Sequence, residues 1–290
     1  MPRLRLIIWV ALAMLAFAGN SLLCRAALKH TSIDAASFTT VRLLSGASML
    51  WLVVWLTHRR QHGMTPEESH GSGNWLSACA LFAYAAGFSF AYVNMTAATG
   101  ALLLFGAVQA TMIGYGVWQG ERLRTVQLVG LVLALAGLFT LMLPGLATPS
   151  LPGSLSMLGA GLAWGIYSLR GKRLSSNATD PVQVTAGNFL RTVPMTLGLS
   201  LLLLNRLSVD GTGVGLAVLS GALASGLGYA IWYRVLPALK STHAATVQLS
   251  VPVIAAVGGV VFMGEVIGWP MVLASCAILG GIALVILDKK

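Results

Sequence analysis

Long apolar runs separated by short polar segments recur along the whole chain. Ten runs can be marked between charged residues, Pro/Gly clusters and polar loops, and a helix of roughly 20 residues crosses a hydrocarbon core about 30 Å thick. They cover about residues 6–25, 37–57, 75–94, 99–118, 125–143, 154–170, 182–204, 213–234, 243–263 and 269–287. Strands of a membrane β-barrel would instead alternate over about ten residues. The pattern therefore predicts an all-α polytopic membrane protein with ten transmembrane helices.

The basic residues give these predicted helices an orientation. If the N-terminus is cytoplasmic, thirteen of the 18 Lys and Arg residues fall on cytoplasmic segments. Only Arg25, Lys29 and Arg206 fall on external loops, and Arg42 and Arg191 fall within runs. This asymmetry follows the positive-inside rule. We therefore expect both termini to face the cytoplasm.

The amino-acid composition narrows the range of possible functions to those of a membrane protein. Hydrophobic residues make up 57% of the 290 residues and charged residues 9%, with a mean hydropathy of +0.82, whereas soluble domains carry about 25% charged residues. Topology and anionic lipid headgroups account for the net charge of +10, so the expected partner is the lipid bilayer and not nucleic acid. The apolar runs contain no metal-like spacing and no acid–base pair at depth. The sequence therefore predicts no metal, no cofactor and no enzyme.

A Gly-Glu pair interrupts the apolar pattern twice. Gly120 and Glu121 follow the fourth run, and Gly264 and Glu265 follow the ninth. A shift of 144 residues places the first pair on the second without a gap. The two interruptions are therefore interpreted as one feature used twice.

Further matches extend this repeat through the chain. The stretch "AFAGNSL" in the first run matches "AWGIYSL" in the sixth at a shift of 147, and Arg42 matches Arg191 at a shift of 149. Residues 1–148 and 149–290 are therefore predicted to be two copies of a five-helix unit. Because five is odd, the second copy must enter the membrane inverted, an architecture in which secondary transporters bind substrate between the repeats.

The ordered features support a family resemblance. They are the ten runs in two halves, "GNSLLCR" in the first run, an Arg in the second and seventh, Gly-Glu after the fourth and ninth, and Pro252 in the ninth. Together they resemble the drug/metabolite transporter superfamily, EamA type, and within it the bacterial aromatic amino-acid exporters of the YddG type. Two positions depart from a strict repeat: Val108 matches Pro252, and Phe17 matches Trp164.

The resemblance implies a function and a location. The expected function is an alternating-access secondary transporter in the bacterial inner membrane that exports small molecules, namely aromatic and other neutral amino acids. Export of another amphiphilic metabolite or a cationic drug, with or without proton coupling, stays open as the alternative. No Asp or Glu falls inside a run, so facilitated transport is favoured, and His243 is the candidate titrating group. The oligomeric state is left open, a monomer included.

Aromatic and polar residues at depth are the candidates for a substrate cavity. The substrate-binding candidates are Phe17, Asn20, Tyr84, Phe105, Gln109, Trp164 and Gln248. The resemblance supports Tyr84, Phe105 and Trp164, and simple core packing is the alternative for every aromatic ring, Tyr229 included. Pro252 lacks an N–H, so it is expected to free the carbonyl of Gln248 for a substrate ammonium group. A kinked helix is the alternative.

The charged residues near the runs have two interpretations. Glu121 and Glu265 each follow a glycine that can end one helix in a left-handed turn. Each also precedes the next helix, so its carboxylate can cap free N–H groups at the positive end of a helix dipole. Alternatively, Arg42 pairs with Glu265 on the outer side and Arg191 with Glu121 on the inner side, which would give a latch between halves at each face.

Overall fold

The computed structural model describes residues 3–60, 73–120, 122, 124–142, 150–174, 180–239 and 247–287. Within these residues the regular secondary structure is helical, and ten long helices are present. They are α1 (Arg3–His30), α2 (Ala35–Arg60), α3 (Trp75–Tyr92), α4 (Ala97–Trp118), α5 (Thr125–Met142), α6 (Leu151–Leu174), α7 (Pro181–Leu202), α8 (Gly211–Val235), α9 (Ser250–Met263) and α10 (Trp269–Leu287).

Each predicted apolar run falls on one of these helices, so the all-helical prediction is confirmed. Five helices have both the length and the apolar character to cross a membrane: α1, α2 over Ala35–Thr57, α3, α4 and α8. Shorter apolar helices lie in α5, α9 and α10. The start of the ninth predicted run, residues 243–246, lies outside the described residues. The inverted orientation of the two halves stays a prediction.

The helix pairs with the most extensive contacts join the two halves of the chain. Helix α5 packs on α10, α3 and α4 pack on α6, α2 packs on α7, and α1 packs on both α8 and α9. Small residues allow this close approach: a Cβ added to Gly130 in α5 would lie 2.5 Å from the carbonyl oxygen of Gly281 in α10. Residues 1–148 and 149–290 therefore share one core.

The outer surface of the bundle is strongly apolar. Large hydrophobic side chains such as Trp118, Leu202, Phe262 and Val266 are each at least 79% exposed. A soluble monomer does not leave such side chains in water over most of its surface. The surface therefore suits a hydrocarbon environment, as the sequence composition predicted.

The two glycines of the repeated Gly-Glu pair end helices as predicted. Gly120 follows α4 with φ of 92°, and Gly264 follows α9 with φ of 63°. Both angles lie in the left-handed region, which glycine adopts without a Cβ clash. Each glycine thus terminates its helix and turns the chain before the next helix begins.

Candidate functional site

A small cavity lies between the two halves, against α1, α3, α4, α6 and α8. Its lining residues are Phe17, Asn20, Ser21, Tyr84, Phe88, Leu104, Phe105, Trp164 and Tyr229. Its volume is about 10 Å³, which is room for about one water molecule. An amino acid does not fit in this space. An organic molecule could therefore enter only if the lining side chains moved apart.

Aromatic rings form most of the cavity wall, with Trp164 at their centre. The Trp164 ring centroid lies 4.8 Å from that of Tyr84 and 4.9 Å from that of Tyr229. Phe17 approaches Trp164 edge-on at 6.3 Å and Tyr229 at 5.7 Å. These distances are those of favourable aromatic pairs. The wall is thus suited to contact an aromatic or apolar group.

The polar part of the wall includes Asn20 and Tyr84, which belong to a hydrogen-bond network that continues behind the lining residues. The Tyr84 hydroxyl accepts bonds from Asn20 Nδ2 at 3.2 Å and from Arg42 Nη2 at 3.1 Å. Asn20 Oδ1 in turn accepts a bond of 2.6 Å from Ser220 Oγ, and Arg42 Nε donates to Ser225 Oγ at 3.3 Å. All five residues are buried. The network links α1, α2 and α3 of the first half to α8 of the second.

A π-helical segment of α8, Leu219–Leu227, supplies the two serines of this network. Hydrogen bonds in a π-helix join residues five apart, and such segments are frequent at functional sites. Ser220 and Ser225 are five positions apart, so this winding turns both toward the first half. Between them, Gly221 lies against the Arg42 carbonyl oxygen so closely that an added Cβ would overlap it.

The structure brings most of the predicted binding residues together. Five of the seven line the cavity: Phe17, Asn20, Tyr84, Phe105 and Trp164. Gln109 is buried in α4 but is not among the lining residues, and its Nε2 has no hydrogen-bond partner. Gln248 is half-buried and also absent from the lining. Their binding of a substrate stays a prediction.

Three lining residues were missed by the sequence analysis: Ser21, Phe88 and Leu104. Phe88 follows Tyr84 by four positions in α3, and residues four apart share a helix face. This spacing is the signal that could have found it. Ser21 follows Asn20 directly, and such a neighbour carries no comparable signal.

The free carbonyl expected at Gln248 stays a prediction. Val247 and Gln248 are helical, Leu249 follows with φ of −66° and ψ of −16°, and α9 begins at Ser250. Pro252 therefore lies just after an interruption between two helical segments, where a residue without an N–H is tolerated.

Glu265 caps a helix, but not the one that follows it in sequence. Both carboxylate oxygens accept bonds from the backbone N–H of Ala97, at 3.1 and 2.9 Å, at the start of α4. Oε1 also lies 3.4 Å from Arg25 Nε. Arg25 Nη1 donates to the carbonyl oxygens of Tyr92 and Val93, at 2.9 Å each. One buried carboxylate thus joins the α9–α10 turn, α1 and the α3–α4 turn.

This arrangement contradicts the predicted Arg42–Glu265 latch in the conformation seen here. Glu265 pairs with Arg25, which lies within α1 rather than in the external loop expected from the sequence. Arg42 instead points toward Tyr84 and Ser225. The latch prediction matched charges by sequence order, whereas Arg25 reaches Glu265 because α1 continues for another turn beyond it.

The other charged candidates are less constrained by the structure. Arg191 is half-buried in α7 and donates through Nη1 to the carbonyl oxygen of Gly187 at 2.9 Å. Glu121, its predicted latch partner, and His243 lie outside the described residues. The inner latch and the titrating histidine stay predictions.

Two loops on the side of Glu265 also hold each other together. The backbone N–H of Ser208 donates to Asp34 Oδ2 at 2.9 Å, and that of Ser32 donates to Asp210 Oδ2 at 3.0 Å. Burial alone would raise the pKa of Asp34, but hydrogen bonds, led by one from Ser37, outweigh it and lower the pKa. The Gly213 N–H and groups of the α1–α2 loop lower the pKa of Asp210.

A metal centre is not formed by the described part of the chain. No three His, Cys, Asp or Glu side chains in that part lie close enough together to hold a metal ion. The cavity wall offers rings, one amide and hydroxyl groups, which suit an organic molecule.

Both halves of the sequence match one family model. The sequence model of the EamA-like transporter family matches residues 4–143 and again residues 151–287. The chain belongs to this family. It is therefore a multi-pass membrane transporter, and its family relationship points away from an enzyme.

Named relatives give more specific comparisons. An uncharacterized protein of Pseudomonas aeruginosa is 53% identical over 289 residues, covering 100% of this chain and 97% of that protein. The threonine/homoserine exporter RhtA of Salmonella typhimurium is 32% identical over 161 residues, covering 54% of this chain and 53% of the exporter. RhtA of Escherichia coli K12 matches with the same identity and coverage. The matched segment thus spans about half the length of these exporters.

A solved crystal structure shares the fold. It superimposes with a TM-score of 0.68 and covers 98% of both chains, at 19% sequence identity. At this identity the likeness concerns the arrangement of helices alone.

Proposed function

We propose that this transporter exports neutral amino acids, aromatic ones included, across the bacterial inner membrane by facilitated alternating access. The observation that carries the proposal is the cavity between the halves, where the aromatic wall centred on Trp164 adjoins the polar wall formed by Asn20 and the Tyr84 hydroxyl. An amino acid has the matching division into an apolar side chain and a charged head. The partial similarity to threonine/homoserine exporters supports the same substrate class.

The small cavity fits an alternating-access cycle. Helices of both halves contribute to the lining, so relative movement of the halves changes its volume. The two matches of the family model, on residues 4–143 and 151–287, support a division into two similar repeats. In the proposed cycle the repeats are inverted, both termini are cytoplasmic, and the cavity opens alternately to each side.

Removal of the central ring tests the substrate class. An aromatic contact is worth about 0.5–1.5 kcal/mol beyond burial, so Trp164→Ala should lower phenylalanine flux about three- to tenfold. Threonine has no ring and should lose less. The measurement is radiolabelled efflux from vesicles that contain equal amounts of folded protein.

Phe38→Ala is the matched control, because Phe38 is fully buried in α2 but does not line the cavity. It removes a ring from the core without removing a substrate contact, so the ratio of phenylalanine to threonine flux should stay at the wild-type value. Equal losses of both fluxes in folded Trp164→Ala would refute the stacking contact.

A cation exporter for amphiphilic drugs is the competing function. None of the nine residues that line the cavity is acidic, and Arg42 places a positive charge beside Tyr84 and Phe88. Like charges disfavour each other in a low-dielectric site, which argues against a cationic substrate. Flux of a cationic dye in the same vesicles, without flux of any amino acid, would establish the competing function.

The facilitated mechanism has its own test. Wild-type vesicles with a phenylalanine gradient and no pH gradient should show flux down that gradient. A strict requirement for an imposed pH gradient would show that protons are coupled to transport.

A further inference from the structure

Arg42 is buried in α2 without full compensation of its charge. The residue is 1% exposed. Two of its nitrogens donate to hydroxyls, those of Tyr84 and Ser225, and its guanidinium carbon lies 4.8 Å from the Phe88 ring centre and 5.3 Å from that of Tyr84. The third nitrogen, Nη1, is buried with no hydrogen-bond partner.

All of these partners are neutral. Within the described residues the ion pair is Arg25–Glu265, and it lies at the end of the bundle. A guanidinium group carries five N–H donors and cannot lose its proton in a protein. Burying such a charge is costly unless an anion or a complete set of acceptors is supplied. Arg42 therefore retains an unmet capacity to bind an anion.

This capacity lies directly beside the cavity. Tyr84 and Phe88 contact Arg42 on one side and line the cavity on the other. The Tyr84 oxygen already accepts two hydrogen bonds, from Asn20 and Arg42, so its own proton can be donated to an incoming acceptor. A movement of Tyr84 that enlarges the cavity would bring the Arg42 guanidinium group within reach of a ligand.

Two half-buried arginines, Arg25 and Arg170, show how an arginine with a structural role is bonded in this fold. Arg25 meets a carboxylate and two carbonyl oxygens. Arg170 donates to Ser77 Oγ at 3.1 Å and to Asn74 Oδ1 at 3.0 Å, and joins α6 to the start of α3. Neither has a nitrogen among the buried groups without a partner. Arg42 differs from both in this respect.

We propose that Arg42, assisted by the Tyr84 hydroxyl, binds the carboxylate group of the transported substrate. The ligand class is therefore carboxylates, and a molecule whose carboxylate is converted to a neutral amide is rejected. This inference rests on the proposed function, because it names the part of the substrate that the polar wall holds. A carboxylate accepts paired hydrogen bonds from a guanidinium group, which fixes its position as well as its charge.

Matched ligand pairs test the proposal in the wild-type protein. The pairs are phenylalanine and phenylalanine amide, threonine and threonine amide, and 3-phenylpropionate and its amide. Their affinity for the detergent-purified protein is measured by calorimetry, and flux of the first pair is measured in vesicles. Each carboxylate should bind at least tenfold more tightly than its amide. Equal affinity within the pairs would overturn the proposal without any variant.

Arg42→Gln then locates the preference in one side chain. It should weaken phenylalanine binding at least tenfold and leave the affinity for phenylalanine amide nearly unchanged. The ratio of the two affinities should therefore approach one. Arg170→Gln is the control, because it removes a half-buried arginine that does not line the cavity and should keep the wild-type ratio. An unchanged ratio in folded Arg42→Gln would also overturn the proposal.

Two further results keep the test decisive. If Arg42→Gln does not fold, Arg42→Lys is used instead, because lysine keeps the positive charge but lacks the paired donors of a guanidinium group. The Arg42→Lys protein should bind phenylalanine more weakly than wild type does and should still prefer phenylalanine to its amide. Loss of that preference, or an undiminished affinity, would count against the proposal. If 3-phenylpropionate binds through Arg42 while no amino acid is transported, the carboxylate site stands and the amino-acid function is wrong.

Discussion

Arg42 and Glu265 are two buried charges of opposite sign, and the structure compensates them to different degrees. Glu265 lies at one end of the bundle, where its two oxygens contact the Ala97 N–H and Arg25. Arg42 lies among helices α2, α3 and α8, where it meets two hydroxyls and two rings and leaves one nitrogen without a partner. The first charge is matched within the chain and the second is not.

The difference indicates a structural role for Glu265 and a substrate-binding role for Arg42. A buried charge with its full set of partners holds elements together, and Glu265 joins three segments that are distant in sequence. A buried charge that lacks a partner is costly to keep, so a benefit elsewhere must offset it. Binding of a substrate carboxylate beside the cavity supplies that benefit for Arg42. Substitutions beside Arg42, at Glu265 and at Asp210 should accordingly differ in the size of their effects.

Gly221→Ala should have the largest effect, because it disrupts the surroundings of Arg42. The added methyl group would overlap Ser45 Oγ and the Arg42 carbonyl oxygen. A backbone atom cannot move aside unless α8 separates from α2. We expect the yield of folded protein to collapse or, in protein that folds, phenylalanine flux to fall more than tenfold. Size-exclusion yield and vesicle flux measure these outcomes.

Gly215→Ala provides the control in the same helix, since an added Cβ there meets nothing within 4 Å. Alanine favours a helix over glycine by about 1 kcal/mol, so yield and flux should be kept or improved. Similar behaviour of the two variants would mean that α8 does not approach α2 as closely as described.

Glu265→Ala should have an intermediate effect, on stability. It leaves the Ala97 N–H and Arg25 without their shared acceptor, and one unsatisfied buried group costs about 1–3 kcal/mol. At roughly 2–4 °C per kcal/mol for a chain of about this size, a loss of about 2 kcal/mol lowers the apparent Tm by about 4–8 °C. Melting of the detergent-purified protein at a fixed scan rate measures this shift.

Glu265→Gln separates the hydrogen bond from the charge in that experiment. Its amide oxygen can still accept from the Ala97 N–H, but it offers Arg25 no negative charge, so its Tm should lie between those of wild type and Glu265→Ala. A wild-type Tm for both variants would show that Glu265 does not hold the three segments together.

Asp210 is the N-cap of α8, where its side chain accepts a hydrogen bond from the Gly213 N–H at 2.8 Å. Asp210→Asn should have the smallest effect, since Asn is also a good helix cap. The pKa of Asp210 is lowered in the folded protein. Its stabilising contribution is therefore present above the ordinary Asp pKa of about 3.9 and is lost as the pH falls through the folded pKa. The difference in Tm between wild type and variant should be constant near neutral pH and shrink below pH about 4. A difference that persists undiminished at the lowest pH would contradict this assignment.

The sequence predicted local features of the fold well. Ten helices follow from apolar runs of membrane-spanning length, and the left-handed ends at Gly120 and Gly264 follow from glycine placed between two helices. The cavity rings Tyr84, Phe105 and Trp164 were also selected in advance, with help from the family resemblance. These features depend on residues near one another in the chain or on a pattern that the family repeats.

The partners of the charged residues were not predicted, because they come from distant segments. Arg25 was assigned to a loop and Glu265 was paired with Arg42, whereas helix packing brings Glu265 to Arg25 and to the first turn of α4.

The sequence by itself thus determined the helical class, the membrane environment and the family, because hydrophobic length and composition act locally and need no knowledge of neighbours. Only the tertiary structure decided which buried charge is matched and which lies unmatched beside the cavity. The match of each charge depends on distances between side chains on different helices. Several of these distances are set by the π-helical segment of α8, which no sequence pattern indicated.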